Sequence, residues 1–350
     1  MRIGLYGMPT AGKTYIMDQI DFLDVLVGSR LLREHAPDFD KRNKKERELA
    51  RKEVANICKM RDDFIMDGHY AFGEETAFTG EEGEMYDRYL YIYIDPRYIE
   101  KRMKNSAKNQ KYLQYDIAAW QRREIEGLRL YCHRNNKDFY ILDCPPLNEH
   151  VETEEAIQFL KDIVDGYSNI EYARDIVSTI LQEAESDIIT LVDGDKTLIN
   201  EDSSRFVFGY MTHLFDGNFY TGFQSWKQYR EFDNYEINIP DYIDVHRNEK
   251  MPSTMKGNAY ILSSGNKNIW TCISEQVGMK SFAGNQMSAE TKYFVTKFLR
   301  ESGKYIITYG DSMSDYYMLK EADEGYLVLR ENGQVSKSLK NIDLGGIEIV

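Results

Sequence analysis

Three things are scarce or missing in this 350-residue chain, and each removes a class of function. Cysteine is the first. The four present (Cys58, Cys132, Cys144, Cys272) lie far apart with no Cys-x-x-Cys pair. That argues against a disulfide framework or a zinc site and fits reduced thiols in a cytoplasmic protein. Long apolar runs are the second. None approaches the ~20 residues of a membrane helix, so no membrane partner is expected. A surplus of positive charge is the third. The net charge is −14, a field that repels polyanions and counts against extended nucleic-acid binding. Basic stretches at residues 41–52 and 97–111 leave room only for a short nucleic-acid end held in a pocket. The first residues, Met1-Arg-Ile-Gly-Leu-Tyr-Gly7, run straight into a motif, which leaves no space for a signal peptide.

What is present suffices for two cores. Hydrophobic residues make up 42% of the chain and charged residues 29%, over a length comfortable for two domains. The 26 tyrosines read as half-buried packing residues rather than base-stacking platforms. Short apolar runs ending in an acidic residue, Phe64-Ile-Met-Asp67, Tyr89-Leu-Tyr-Ile-Tyr-Ile-Asp95 and Phe139-Tyr-Ile-Leu-Asp143, alternate with helical stretches. That alternation predicts an α/β fold with a doubly wound parallel sheet, whose ligands gather at the carboxyl ends of the strands. A second alternation begins at Ile188-Ile-Thr-Leu-Val192 and continues through Ala259-Tyr-Ile-Leu262 and Tyr305-Ile-Ile-Thr-Tyr309. It predicts a second such domain. The boundary is placed at 1–166 and 167–350.

Gly7-Met-Pro-Thr-Ala-Gly12-Lys13-Thr14 satisfies G-x-x-x-x-G-K-[ST] between a strand and a helix. Gly7 and Gly12 permit backbone angles that turn successive N–H groups toward phosphate oxygens. Lys13 offers charge to the outer phosphates of ATP, and Thr14 a hydroxyl to Mg²⁺. An acid, Asp24 or Asp67, follows an apolar run on the same side and would orient or deprotonate an acceptor hydroxyl. These residues resemble the adenylate-kinase-like nucleoside and nucleotide kinases over roughly the first 150 positions. The resemblance implies that Arg33, in Gly28-Ser-Arg-Leu-Leu-Arg33, holds an acceptor's phosphate. It also implies that Asp95-Pro-Arg-Tyr-Ile-Glu-Lys-Arg102 begins a lid over ATP, and that residues 116–123 form a helix returning from that lid with an arginine. His69-Tyr70 stand where the family usually carries a further arginine, which points away from a nucleoside monophosphate as acceptor.

In the second half, Asp193-Gly-Asp195-Lys-Thr197 is D-x-D-x-T directly after a buried strand. Carboxylates two positions apart at a strand end point to the same side. Asp193 would attack phosphorus, and Asp195 would protonate the leaving group and then deprotonate water. Thr197 would orient the turn and meet the substrate. Ser263 or Ser264 follows a second strand and suits a phosphate oxygen, Ser263 being preferred because it directly follows the apolar run. Lys292 is preferred to Lys280 as the cation, and Gly310-Asp311-Ser-Met-Ser-Asp315 supplies further carboxylates. Asp193, Asp195, Asp311 and Asp315 are thus candidate Mg²⁺ ligands. The order is similar to that of the haloacid-dehalogenase-like hydrolases, in particular their phosphoserine-phosphatase-like branch. The resemblance implies a substrate-selecting cap at about 199–257, rich in aromatics such as Phe206, Phe208, Tyr210, Phe219, Tyr220, Phe223, Trp226 and Tyr229.

The expected function is a bifunctional enzyme. One half transfers phosphoryl groups from ATP to a small hydroxyl or phosphorylated acceptor, and the other hydrolyses phosphomonoesters. The domain order also resembles the polynucleotide kinase–phosphatases, which makes nucleic-acid end healing an alternative. A P-loop domain that senses ATP and regulates the phosphatase is another.

Overall fold

The computed structural model describes residues 1–142, 149–208, 222–233, 242–284 and 286–350. Asp143, Cys144 and three cap aromatics, Tyr210, Phe219 and Tyr220, lie outside the described residues. The chain divides into two compact units, Met1–Tyr167 and Ser168–Val350. No described helix is long and apolar enough to cross a membrane.

The first unit is built on a five-stranded sheet of β1 (Arg2–Gly7), β2 (Asp24–Leu26), β3 (Phe64–Asp67), β6 (Arg88–Ile92) and β7 (Asp138–Leu142), in the order β2-β3-β1-β6-β7. Every pairing is parallel. The short antiparallel pair β4 (Ala71–Phe72) and β5 (Glu75–Thr76) follows β3. Strands β1, β6 and β7 are almost wholly buried, as expected where helices cover both faces of a parallel sheet. The helices are α1 (Lys13–Met17), α2 (Gly28–His35), α3 (Lys44–Cys58), α4 (Gly80–Met85), α5 (Pro96–Lys104), α6 (Ile117–Arg134) and α7 (Thr153–Val164). Asn43 and Glu46 form a reciprocal capping box at the start of α3. Asp95 caps α5, with Pro96 at its first position.

The second unit opens with α8 (Asn169–Glu183) and β8 (Ile188–Asp193), continues through the short helices α9 (Arg205–Phe208) and α10 (Gly222–Asp233), and reaches β9 (Asn258–Ser263). After these come α11 (Lys267–Val277), β10 (Ser281–Ala283), α12 (Ala289–Glu301), β11 (Tyr305–Gly310), α13 (Tyr316–Glu321), β12 (Glu324–Leu327) and β13 (Glu348–Ile349). All six strands are parallel, in the order β10-β9-β8-β11-β12-β13. Side-chain alternation along the strands explains the two layers. Ile189, Leu191, Tyr260 and Leu262 pack with Ile176 and Ile180 of α8 and Phe294 and Leu299 of α12. Val192 and Ile261 point the other way, onto Ile269, Trp270 and Ile273 of α11. The sheet is doubly wound, and β8 lies where the strand order reverses, the place where such sheets gather ligands.

Candidate functional site

In the first unit, β1 ends at Gly7 and the chain turns through residues 8–12 into α1. Gly12 stands at φ 98°, a left-handed conformation that glycine adopts without strain. Lys13 is 7% exposed. Its Nζ donates to the carbonyls of Gly7 (2.5 Å) and Met8 (3.3 Å), so the side chain folds back along its own loop. Burial pushes the Lys13 ammonium down to about 8, against the raising fields of Glu124 and Asp67. Thr14 is exposed on the first turn of α1. Asp67 ends β3 in register with Leu5 of β1, and its Oδ1 accepts from the Gly28 N–H at 2.8 Å. The structure therefore brings Lys13 and Asp67 to the same sheet edge.

Of three other expected residues in this unit, Asp24 needs correction. Asp24 is the first residue of β2 rather than a residue after a strand. It pairs in register with Phe64, itself opposite Arg2, which puts it at the amino edge of the sheet, away from Lys13. Arg33 is exposed and paired with Asp40 at 3.2 Å. Arg102 donates to the carbonyls of Thr10 (2.9 Å) and Glu149 (2.5 Å). It meets the glycine loop from α5, whose Ile99 and Met103 are fully buried.

Sequence reading missed Glu124. It is fully buried on α6 and accepts from the Ala71 N–H (3.0 Å), the Tyr91 hydroxyl (2.8 Å) and the Trp120 indole (3.2 Å). Burial raises its carboxyl, and those three donors together with Lys13 oppose the shift. The signal was available: a glutamate occupies the apolar stripe of Ile117, Trp120, Ile125 and Leu128, where acids are rare unless paired.

The second unit concentrates charge more tightly. Asp193 ends β8, Ser263 ends β9, and Asp311 follows β11, three adjacent strands. Lys292, fully buried in the first turn of α12, donates to Asp193 Oδ1 at 2.6 Å and Asp315 Oδ1 at 2.7 Å. Thr197 Oγ1 donates to the other Asp193 oxygen at 2.9 Å. Asp193, Asp311 and Asp315 each offer an oxygen within 4.8 Å of the others, all three buried. Burial, then Asp315, pushes Asp193 up to about 6, against Lys292 and Thr197. Burial alone would lower Lys292, yet its two carboxylate partners raise it. Burial, then Asp202, lifts Asp195 to about 7, with the Ser203 N–H (2.7 Å) and hydroxyl (3.0 Å) donating to it.

A cavity of about 800 Å³ opens over these residues, with Asp193, Asp195, Ser263, Ser264, Asp311 and Gln228 of α10 in its wall. Ser263 Oγ accepts from the Gly265 N–H at 3.1 Å, and Ser264 Oγ donates to the Met287 carbonyl at 2.6 Å. Trp270 is wedged beneath: a Cβ on Gly194 would come 2.2 Å from its ring, and one on Gly265 2.5 Å from its Nε1. Two roles change. The Asp195 carboxylate faces Ser203 and lies outside the three-carboxylate group, so it is no side-chain metal ligand. Thr197 is fully buried, absent from the cavity wall, and its hydroxyl holds Asp193 rather than substrate. Lys280 is exposed and paired with Glu183, which leaves the site to Lys292. Of the cap stretch, Phe223 and Trp226 stack on each other at 5.7 Å as buried packing residues, whereas Phe206 and Tyr229 are partly exposed.

Removing Lys292 leaves Asp193 and Asp315 facing each other without a cation. Loss of one partner from such a buried group costs about 3–5 kcal/mol. Lys292→Met is therefore expected to lower the urea midpoint of the second unit, and added Mg²⁺ to recover part of the loss. An unchanged midpoint would show that the pair carries no net charge.

No known family model matches this chain. No curated protein matches it either. Among solved structures, shikimate kinase from Bacteroides thetaiotaomicron aligns at 11% identity and a TM-score of 0.33, over 47% of this chain and 98% of that one. Shikimate kinase from Acinetobacter baumannii aligns at 15% identity and 0.34, over 47% and 92%. A HAD family hydrolase from Salmonella enterica serovar Typhi aligns at 14% identity and 0.31, over 51% and 76%. The neighbours thus include both a kinase and a hydrolase.

Proposed function

We propose that this chain is a bifunctional phosphoryl-handling enzyme, hydrolysing phosphomonoesters in its second unit and transferring phosphoryl groups from ATP in its first. The observation that carries the reading is the meeting of Asp193, Lys292, Asp311 and Asp315 under one cavity, with Asp195 two positions from Asp193. The donor set is buried carboxylate oxygen throughout, which suits Mg²⁺. Asp193, Asp311 and Asp315 would hold that ion, and it would offset charge on the phosphate. An Asp193 oxygen attacks phosphorus, and the leaving oxygen departs with the Asp195 proton. Ionised Asp195 then takes a proton from water, whose oxygen displaces Asp193 from phosphorus and frees inorganic phosphate. Ser263 and Ser264 flank the phosphate, and Lys292 keeps Asp193 ionised and oriented.

In the first unit, residues 7–14 would receive the phosphates of ATP, with Lys13 swinging from its loop carbonyls onto them. Asp67 and Glu124 are the acids whose fields act on that lysine. Thr14 is the hydroxyl available to magnesium.

The reading is tested by two screens of the full chain: phosphate release from a panel of phosphomonoesters, and transfer of labelled γ-phosphate to nucleosides, sugars and 5′-hydroxyl oligonucleotides. Chelation by EDTA is expected to abolish release, and excess Mg²⁺ to restore it. Release that persists in EDTA would refute the magnesium-dependent mechanism, and an empty acceptor screen would reduce the first unit to nucleotide binding.

A further inference from the structure

Lys292 reaches two of the three clustered carboxylates and leaves the third to another cation. Asp311 is 3% exposed and its charge is met from residues 330–338, the segment after β12. Arg330 Nη2 lies 2.7 Å from Asp311 Oδ2. The same nitrogen donates to Ser336 Oγ at 3.0 Å. Ser336 and Ser338 share a hydrogen bond at 3.0 Å, and Ser338 Oγ accepts from the Met313 N–H at 3.0 Å. Met313 lies two residues after Asp311, so the chain of contacts closes on the loop where it began.

The arginine is itself fixed from behind. Its N–H donates to the Gln334 carbonyl, and its carbonyl accepts from Gly333 in a tight turn. Lys250 Nζ donates to the carbonyls of Leu329 (2.8 Å) and Arg330 (2.5 Å). The guanidinium therefore arrives at Asp311 on its own scaffold, anchored outside the acidic loop it serves. Charge gives the arrangement its purpose. Three buried carboxylates against Lys292 alone would leave two net negative charges, a configuration that repels itself, and the fields of Arg330 and Lys196 both oppose the charge on Asp311. Of these two cations, Arg330 is the one in direct contact, 2.7 Å from Asp311 Oδ2. One nitrogen, Nη2, makes both the ion pair to Asp311 and the hydrogen bond to Ser336, and Asp311 Oδ2 has no hydrogen-bond donor of its own among the described residues.

We propose that Arg330 is a positioning residue for the divalent-cation site: it fixes one oxygen of Asp311 so that the carboxylate meets the ion with little reorganisation. Carboxylate ligands held by an outer partner in this way typically lose 10–100-fold in metal affinity when the partner goes. The inference rests on the magnesium-dependent reading above, and its test does not require turnover. Arg330 also lines the cavity beside Asn332 and Gln334, so the residue that steadies Asp311 belongs to the wall a substrate's leaving group would touch.

Mn²⁺ binding to the full chain is measured directly by electron paramagnetic resonance. Arg330→Gln is expected to raise the Mn²⁺ dissociation constant about 10–100-fold. Arg330→Lys, which keeps the charge, is expected to recover most of that loss. Ser336→Ala, which removes the anchor alone, is expected to fall between wild type and Arg330→Gln. The far-ultraviolet circular dichroism of all three variants should match wild type. Arg330→Gln binding Mn²⁺ within threefold of wild type, or more tightly, overturns the proposal while leaving the phosphatase reading intact. If wild type binds no Mn²⁺ in the micromolar-to-millimolar range, the proposal and the metal-dependent mechanism fall together.

Discussion

Asp193→Asn is expected to lower phosphomonoester hydrolysis by the full chain on the order of 10³-fold or more while leaving ATP-dependent transfer within about twofold. The substitution keeps the shape of the side chain and the partners of its remaining oxygen. It removes the anion that attacks phosphorus and one negative neighbour of Lys292. Loss of activity should therefore exceed any loss of stability, and circular dichroism with thermal unfolding separates the two. A pH profile adds a second reading. Asp195 sits at about 7 because it is buried, so hydrolysis should decline as pH rises past that value and the proton for the leaving group is lost. Asp195→Asn should flatten the decline as it lowers the rate. If Asp193→Asn retains a tenth of the hydrolysis, carboxylate attack is the wrong chemistry.

Lys13→Met should do the converse. It is expected to reduce γ-phosphate transfer roughly 10²–10³-fold, the effect typical of removing one preorganised contact to a transferring phosphoryl group. Methionine keeps much of the buried volume, which alanine would not. It does leave Asp67 and Glu124 without their nearby cation, so a small stability change is expected alongside. Hydrolysis in the second unit should be unaffected. A folded Lys13→Met protein that loses both activities equally would refute the division of labour between the two units.

Much of this was legible in the chain because the decisive residues sit in short local patterns. The glycine loop and D-x-D-x-T each fall within a few residues after a strand, so period and spacing locate them. Asp24 failed for a definable reason. Apolar residues flank it on both sides, Phe22-Leu23 and Val25-Leu26, and only the pairing with β3 shows on which side the strand lies. Thr197 was assigned to substrate because a hydroxyl near a nucleophile can face either way, and hydrogen bonding decides which. Arg330 carries no local signature. Its partner is 19 positions away (330 minus 311), and only folding brings β12 beside β11.

The wedge of Trp270 constrains motion. Because one fully buried indole presses on both Gly194 and Gly265, the loop bearing Asp193 and the loop bearing Ser263 and Ser264 cannot part without unseating it. On the proposed reading, a substrate would reach Asp193 through the cavity lined by Gln228 and residues 330–338 while these two loops stay together. The spacing between Asp193 and the two serines would then be set by the packing of a single side chain.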